Sequence, residues 1–383
     1  MMMKNTKPSI CFVAHNAYGA LAGEDTGHIG GIERQQAMMA KWLAAHGYKV
    51  SMVTWEEEGG NPALVNGVRV YTMCKRTDGV RFVKFFYPRW SSLNRAMAQA
   101  DADIYYYNCG ELGLGQVVMW AKRHGKKSMY TVASEIDCNF NIKNKDVLRE
   151  RLLYHYGVRH ADDIVVQTNA QKKLLAETYQ RESTLIPMPS TGFGLSEAWL
   201  DEKIQAAPSP RVIWVGRFSN EKRLEWLLGA AENLPEVRFD ILGAANFNTD
   251  YARKLNVWAN RLKNVKVHGR VQHDRIGAFY KNATLLCCTS LYEGFPNVFL
   301  EAWSTGLPVI TTFDPDNIVQ NYKLGEFVMS TEALELAIRK MITDRNKYES
   351  AARNAWHYFH NHHTLDHGMA LFEKQFARLM AAT

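Results

Sequence analysis

A chain of 383 residues is too long for one ordinary core and suits two domains of roughly 150 to 200 residues each. Its 46% hydrophobic and 22% charged residues are the mix of a globular chain in water, and no apolar run approaches the roughly 20 residues of a spanning helix. The net charge of +7 is uneven: residues 1–189 hold 24 Lys and Arg against 18 Asp and Glu, the remainder 22 against 21, so the first half is the one expected to meet something anionic.

The opening MMMKNTKPSICFVAH has neither a long h-region nor a small-residue cleavage site, so no signal peptide is expected and the location is expected to be cytoplasmic. The first strand is Ser9 to Ala14. A loop with Gly19, Gly23, Gly27, Gly30 and Gly31 follows, and then IERQQAMMAKWLAAHG has helical spacing that closes on Gly47. Gly30 and Gly31 therefore sit at a helix N-terminus, where glycine lets the backbone approach a ligand such as phosphate, or simply turns the chain. Strands are expected at Lys49–Thr54, Val68–Met73, Asp103–Tyr107, Lys127–Val132, Ile164–Gln167 and Thr184–Ile186, with helices over Leu114–His124 and up to Tyr179. This β/α alternation predicts a doubly wound parallel sheet. Within it, VRFVKFFYPRWSSLNR (80–95) carries four cations, five aromatics and no acid; it suits an anionic lipid surface or an acceptor as well as it suits an ordinary helix and turn.

From 190 to 209 the pattern lapses among Gly192, Gly194 and neighbouring prolines, so this stretch is expected to be the interdomain linker. Alternation restarts with strands at Val212–Val215, Arg238–Leu242, Val265–His268, Leu285–Thr289 and Pro308–Thr312. Helices are expected over Arg223–Asn233, Asn248–Arg261, Asp274–Lys281 and from Asn297. After Gly325 come helices only, the last over Leu365–Met380. The domains are thus 1–189, 210–362 and a terminal helix, 363–383. Six scattered cysteines without CxxC spacing (Cys11, Cys74, Cys109, Cys138, Cys287, Cys288) read as reduced thiols.

The stretch Leu285 to Thr312, LLCCTSLYEGFPNVFLEAWSTGLPVITT, concentrates the chemistry. A loop that leaves a parallel strand at its carboxyl end and opens a helix presents N–H groups and the positive end of the helix dipole, a seat for phosphate. Glu293 and Glu301 cannot bind that phosphate; they are suited to accept hydrogen bonds from ribose or sugar hydroxyls. Arg217 and Lys222, in GRFSNEKRLE after the strand Val212–Val215, lie at the same sheet edge and can neutralise a departing diphosphate in place of a divalent metal.

GRFSNEKRLE, the HGRV of His268–Val271 and EGFPNVFLEAWSTGLPVITT resemble the retaining nucleotide-sugar glycosyltransferases of family 4. The resemblance covers most of the chain, including Gly30-Gly31 with Glu33 and the VVQTNAQKKLL segment. It implies the GT-B fold, two Rossmann-like α/β domains facing across a cleft, with the C-terminal helix crossing back to an acceptor-binding N-terminal domain. By position, Glu301 would take the ribose hydroxyls, Glu293 the donor sugar, and Arg217 and Lys222 the diphosphate. The backbone around Phe295, Pro296, Asn297 and Val298 and at Gly30-Gly31 would help, and Val271 would lie against the base.

One departure stands out. Family members often carry a histidine after the strand that is here Lys127–Val132, where this chain has ASEIDCN; Glu135, Asp137 and, before them, Asn108 are the acceptor-side candidates, although Glu135 and Asp137 would also serve as caps. The pairs Asp101/Asp103 and Asp314/Asp316 match a DxD metal pattern, but turns account for them, and the histidines from His357 to His367 lack ligand spacing. No metal and no cofactor is expected. The resulting expectation is retaining transfer from a UDP- or GDP-sugar to a glycan hydroxyl, the acceptor lipid-linked, in bacterial surface polysaccharide assembly, with peripheral contact to an anionic membrane. The alternatives are a nucleotide-sugar epimerase or hydrolase of the same fold. A nucleic-acid-binding protein lacks a supporting motif.

Overall fold

The computed structural model describes residues 7–382 apart from 25, 27–29, 62, 140–147, 207–208 and 246–248, and only the backbone of 273 and 274. The expectations at Gly27 and Asn248 lie outside the described residues. The chain divides into two units, Met1–Met188 with Gly368–Thr383, and Pro189–His367.

In the first unit the elements run β1 (Ile10–Val13), α1 (Tyr18–Ala22), α2 (Gly31–Ala45), β2 (Val50–Glu56), β3 (Leu64–Val65), β4 (Val68–Lys75), α3 (Ser91–Ala100), β5 (Ile104–Asn108), α4 (Gly113–Arg123), β6 (Lys127–Thr131), α5 (Leu148–His160), β7 (Asp163–Val166), α6 (Asn169–Tyr179) and β8 (Thr184–Leu185). The sheet order is β3-β4-β2-β1-β5-β6-β7-β8. Every pair is parallel except β3 with β4. Strands such as ICFV and IYYYN are buried along their whole length because helices cover both faces of a parallel sheet. The glycine-rich loop after β1 is partly helical: α1 occupies Tyr18–Ala22 and ends on a left-handed Gly23.

Helix α5 was not expected, and α3 takes up the helix reading at the end of 80–95 and runs on to Ala100. Helix α5 lies close against α4, since a Cβ on Gly115 would stand 2.1 Å from the Leu153 carbonyl oxygen and one on Gly157 2.5 Å from Leu114 Cγ. Two glycines therefore let the helix backbones touch, a contact that reads in the sequence as helix breaking.

The second unit holds α7 (Glu197–Ala206), β9 (Arg211–Val215), α8 (Leu224–Glu232), β10 (Arg238–Leu242), α9 (Asp250–Arg261), β11 (Val265–Gly269), α10 (His273–Asn282), β12 (Leu285–Cys288), α11 (Asn297–Trp303), β13 (Val309–Thr311), α12 (Ile318–Asn321), β14 (Gly325–Phe327), α13 (Thr331–Thr343) and α14 (Arg345–His362). Its six strands are parallel in the order β11-β10-β9-β12-β13-β14. The stretch 190–209 is not a bare linker. Helix α7 lies within it, and its Leu200 and Ile204 are buried in the core of the second unit.

The last helix, α15 (Leu365–Ala381), belongs to the first unit from Gly368 on. There Phe372 meets Tyr106 edge-on at 6.3 Å, Tyr48 donates to Glu373 Oε1 at 2.9 Å, and Gln375 Nε2 donates to Asp163 Oδ2 at 2.6 Å. Helix α15 is thus tied to the first unit by aromatic and polar pairs as well as by its buried Met369, Phe372, Phe376 and Leu379. All six cysteines are free thiols.

Candidate functional site

Strand order in the second sheet reverses between β9 and β12, the position at which open α/β sheets bind ligands beyond the carboxyl ends of the strands. The loops that leave these two strands carry Arg217, Lys222 and Glu293. They are fastened to one another by buried hydrogen bonds. Thr289 Oγ1 accepts from Trp214 Nε1 at 3.0 Å and donates to the Lys222 carbonyl at 2.7 Å, and the Leu291 N–H donates to the Glu221 carbonyl at 2.8 Å. Arg223 completes the fastening: Nε donates to the Thr289 carbonyl at 2.9 Å, and Nη2 donates to the Ser290 carbonyl at 3.2 Å and to Thr312 Oγ1 at 2.7 Å. Its backbone is left-handed, with φ of 45°, because it joins the short turn Asn220–Lys222 to α8. Those six donor–acceptor links hold three loops in register, and three of them come from Arg223, which positions the site without being one of its predicted members.

Lys222 Nζ forms an ion pair with Glu293 Oε1, which also accepts from Ser290 Oγ at 2.6 Å. Their side chains are 19% and 18% exposed, so each charge is partly desolvated and compensated by the other. Arg217 lies further out, 3.4 Å from Glu221 Oε1, and Glu221 is itself held by Ser219 Oγ at 2.6 Å. Glu301, on α11, accepts from the hydroxyl of the buried Tyr280 at 2.6 Å; the Tyr280 ring lies 5.3 Å from that of Phe193. The structure therefore joins Lys222 to Glu293 directly and fixes Glu301 through Tyr280, a residue on α10 that the sequence reading did not single out.

Pro296 is the N-cap of α11, and Asn297 and Val298 form its first turn, whose N–H groups have no preceding turn to bond. Phe295 is buried against Trp303 and His363. Val271 is half-buried in the loop after β11. Where β9 and β10 end, Gly216 and Gly243 touch: Gly243 has φ of +140°, and a Cβ there would lie 1.8 Å from the Gly216 carbonyl oxygen. That contact excludes any other residue at position 243. Burial, with Glu293 nearby, raises the Cys288 thiol above its ordinary value, which leaves it protonated and unsuited as a nucleophile.

Behind Tyr280 lies a buried lysine. Lys203 of α7 donates to the Tyr280 carbonyl at 3.4 Å and faces the Trp199 ring, and burial pulls its amine down to about 7. A depressed lysine favours the fold at pH above about 10.5; that contribution is lost as pH falls through 7. Replacing Lys203 by methionine is expected to flatten this slope and raise the melting temperature at pH 6 by several degrees, as measured by differential scanning calorimetry between pH 6 and 10.

In the first unit, Gly30 is the N-cap of α2, and its N–H donates to Glu33 Oε2 at 2.9 Å; Gly31 is the first helical residue. A Cβ on Gly30 would stand 2.7 Å from that oxygen. Asn108 is buried, with Nδ2 donating to Gln35 Oε1 and its carbonyl accepting from Gln36 Nε2, both at 3.3 Å. It fastens β5 to α2 and is not presented on the surface. Asp137 accepts from the Ser134 N–H at 3.0 Å, capping the short turn Glu135–Cys138, and a Cβ on Gly110 would stand 1.8 Å from its Oδ1. Glu135 opens that turn, half-buried.

The aspartate pairs have structural partners. Asp103 Oδ2 accepts from the Ser9 N–H and hydroxyl, Asp101 pairs with Lys126, and Asp314 accepts from the N–H groups of Val319 and Gln320. Among the described residues no group of three or more His, Cys, Asp or Glu is placed to hold a metal ion.

Two family descriptions divide the chain between them: "Glycosyl transferase 4-like domain" over residues 30–189 and "Glycosyl transferases group 1" over residues 197–357. The chain belongs to the family-4-like glycosyltransferases. Its fold is GT-B, shared with a sucrose-phosphate synthase of Thermosynechococcus elongatus at a TM-score of 0.77 and 18% identity, over 98% of this chain and 100% of that one. The Anabaena protein HepE, solved in complex with UDP-glucose, superposes with a TM-score of 0.72 at 17% identity, over 98% of this chain and 100% of that one. Among relatives in sequence, a UDP-N-acetylglucosamine–peptide N-acetylglucosaminyltransferase GtfA subunit of Streptococcus gordonii is 28% identical over 223 residues, 55% of this chain and 42% of that protein. The GtfA subunit of Streptococcus parasanguinis is 29% identical over 64% of this chain and 48% of that protein. The chain thus spans less than half the length of these two curated relatives. An uncharacterised glycosyltransferase of Haemophilus influenzae is 22% identical over 74% of this chain and 77% of its own length.

Proposed function

We propose that this glycosyltransferase moves a sugar from a nucleoside diphosphate, UDP or GDP, to a hydroxyl of a glycan acceptor, with retention at the anomeric carbon and without a metal or other cofactor. The observation that carries the reading is the Lys222–Glu293 pair at the switch point of the second sheet, with Glu301 on the adjoining helix. A cation and a carboxylate in contact match the two sides of a sugar–phosphate bond: Glu293 takes sugar hydroxyls while Lys222 turns to the phosphate beside them. Glu301, held by Tyr280, takes the ribose hydroxyls, and Arg217 and the first N–H groups of α11 add positive potential to the diphosphate. Val271 lies against the base. In the reaction the C1–O bond to the phosphate breaks, the acceptor oxygen bonds to C1 on the same face, and the departing phosphate oxygen takes the acceptor proton. This route asks little of a protein base, which fits a chain with Glu135 and Asp137 where the family it resembles often has a histidine.

The acceptor side belongs to the first unit, with Glu135 as its contribution, while Gly30-Gly31 are kept for the donor. A lipid-linked glycan of bacterial surface polysaccharide assembly, met at the cytoplasmic face of the membrane, is the acceptor that suits the basicity of this half of the chain.

Thermal shift with UDP, GDP, ADP and their sugars tests the donor assignment, because a ligand that binds only the folded state raises its melting temperature. Glu301→Ala is expected to weaken every nucleotide about 10- to 100-fold, the worth of charge-assisted hydrogen bonds to the ribose, whatever the sugar. Unchanged affinity would remove Glu301 from the ribose. NMR of donor and enzyme without acceptor separates transfer from epimerisation or hydrolysis: the donor is expected to persist.

A further inference from the structure

The basic and aromatic stretch 80–95 has no part in the donor site, and the structure gives it a neighbour. Its first half forms an exposed turn followed by a wide helical turn, Phe85–Trp90, against which the first turns of α5 are packed. Arg149 of α5 lies over the Phe85 ring at 3.8 Å, and Phe85 meets Trp90 edge-on at 5.3 Å. Between the two segments runs a groove of about 430 Å³ lined by Phe85, Phe86, Trp90, Leu152, Leu153 and Tyr156. Around it large apolar side chains stand in solvent: Phe82 is 88% exposed, Tyr87 70%, Phe86 60%, and Leu148 and Leu152 59% each. Scattered exposed apolar residues need no account, but a contiguous set from two separate segments does.

Charge decides what covers it. Arg81, Lys84, Arg149 and Arg151 lie on these two segments against the single acid Glu150, while Arg89 turns away to the Arg76 carbonyl at 2.8 Å and the Trp55 ring. Cations interleaved with aromatics and leucines suit the headgroup region of an anionic bilayer, where rings and leucines sink below the phosphates and the guanidinium and ammonium groups stay level with them. A protein partner would need an equally acidic, equally apolar face. Among the described residues no helix is long and apolar enough to cross a membrane, so the contact is with the surface.

We infer that the turn 80–90 and the first two turns of α5 form a docking surface for the anionic lipid headgroups of a bilayer. This deepens the lipid-linked acceptor reading and rests on it only for the choice of a membrane as partner.

The test is co-sedimentation of the full chain with vesicles of phosphatidylglycerol and phosphatidylcholine, and with phosphatidylcholine alone. Binding is expected to the anionic vesicles, to weaken at high salt, and to fall at least about tenfold in Arg81→Glu/Arg151→Glu and in Phe82→Ser/Leu152→Ser. These four residues are exposed, and the UDP thermal shift is expected to be unchanged in both variants, which shows that each folds. No binding by the parent chain, equal binding to both vesicle types, or binding that survives both double substitutions would overturn the inference. So would a concentration-dependent dimer dissolved by the same substitutions without vesicle binding. Vesicle binding by an enzyme that transfers only to soluble acceptors would leave the surface standing and remove the lipid-linked acceptor.

Discussion

Lys222→Ala is expected to lower kcat by about 10²- to 10³-fold, the usual cost of removing one electrostatic partner of a developing charge. Lys222 ends the short turn after β9, its carbonyl is held by Thr289, and its amine reaches Glu293 where both side chains are mostly buried, so the charge acts where water screens it poorly. Arg217, with 60% of its side chain exposed, is expected to matter less, about tenfold. A second consequence separates catalysis from folding. Removing Lys222 leaves Glu293 partly buried with Ser290 alone, so the melting temperature falls as well. Lys222→Met combined with Glu293→Gln restores the melting temperature and leaves transfer lost. Single-turnover kinetics beside calorimetry reads both; transfer at the parental rate in Lys222→Ala would remove the lysine from the leaving group.

Glu293→Ala is expected to bind free UDP or GDP as the parent does and to lose transfer by at least about 10²-fold, because its carboxylate is assigned to the sugar and not to the nucleotide. Glu293→Gln keeps one acceptor oxygen and is expected to fall between the two. The contrast with Glu301→Ala, which weakens nucleotide and nucleotide sugar alike, distinguishes the two glutamates. If Glu293→Ala weakened free nucleotide as strongly as Glu301→Ala, the division of labour between them would be wrong.

The sequence showed most clearly what lies on strands. Runs such as ICFV, VIWV and LLCC are continuous and apolar because both faces of a parallel sheet are covered, and the loops after them carry the charged residues that meet at the sheet edge. Less legible were elements set by close approach. Helices α4 and α5 touch through Gly115 and Gly157, and β14 begins at Gly325, where a Cβ would lie 1.9 Å from the Val309 carbonyl oxygen. In each case glycine marks contact with another backbone, while a local reading takes it as punctuation. Helix α7 was hidden by the glycines and prolines around it.

At the site, spacing brought Arg217, Lys222, Glu293 and Glu301 to one sheet, yet the partners that hold them have no local signature. Tyr280 sits one helix earlier than Glu301, and Arg223 looks like one more charge beside Lys222 until its three hydrogen bonds across 289–312 are known. Asn108, plausible on the acceptor side from its place after a strand, turns inward to Gln35 because β5 is central and covered on both faces.

The most direct test of the account is a crystal structure of the chain with whichever nucleoside diphosphate raises its melting temperature most. Ribose hydroxyls are expected within hydrogen-bonding distance of Glu301, and the diphosphate against Lys222 and the first turn of α11. A nucleotide seated away from the carboxyl ends of β9 and β12, or bound there with Glu301 and Lys222 turned away from it, would contradict it.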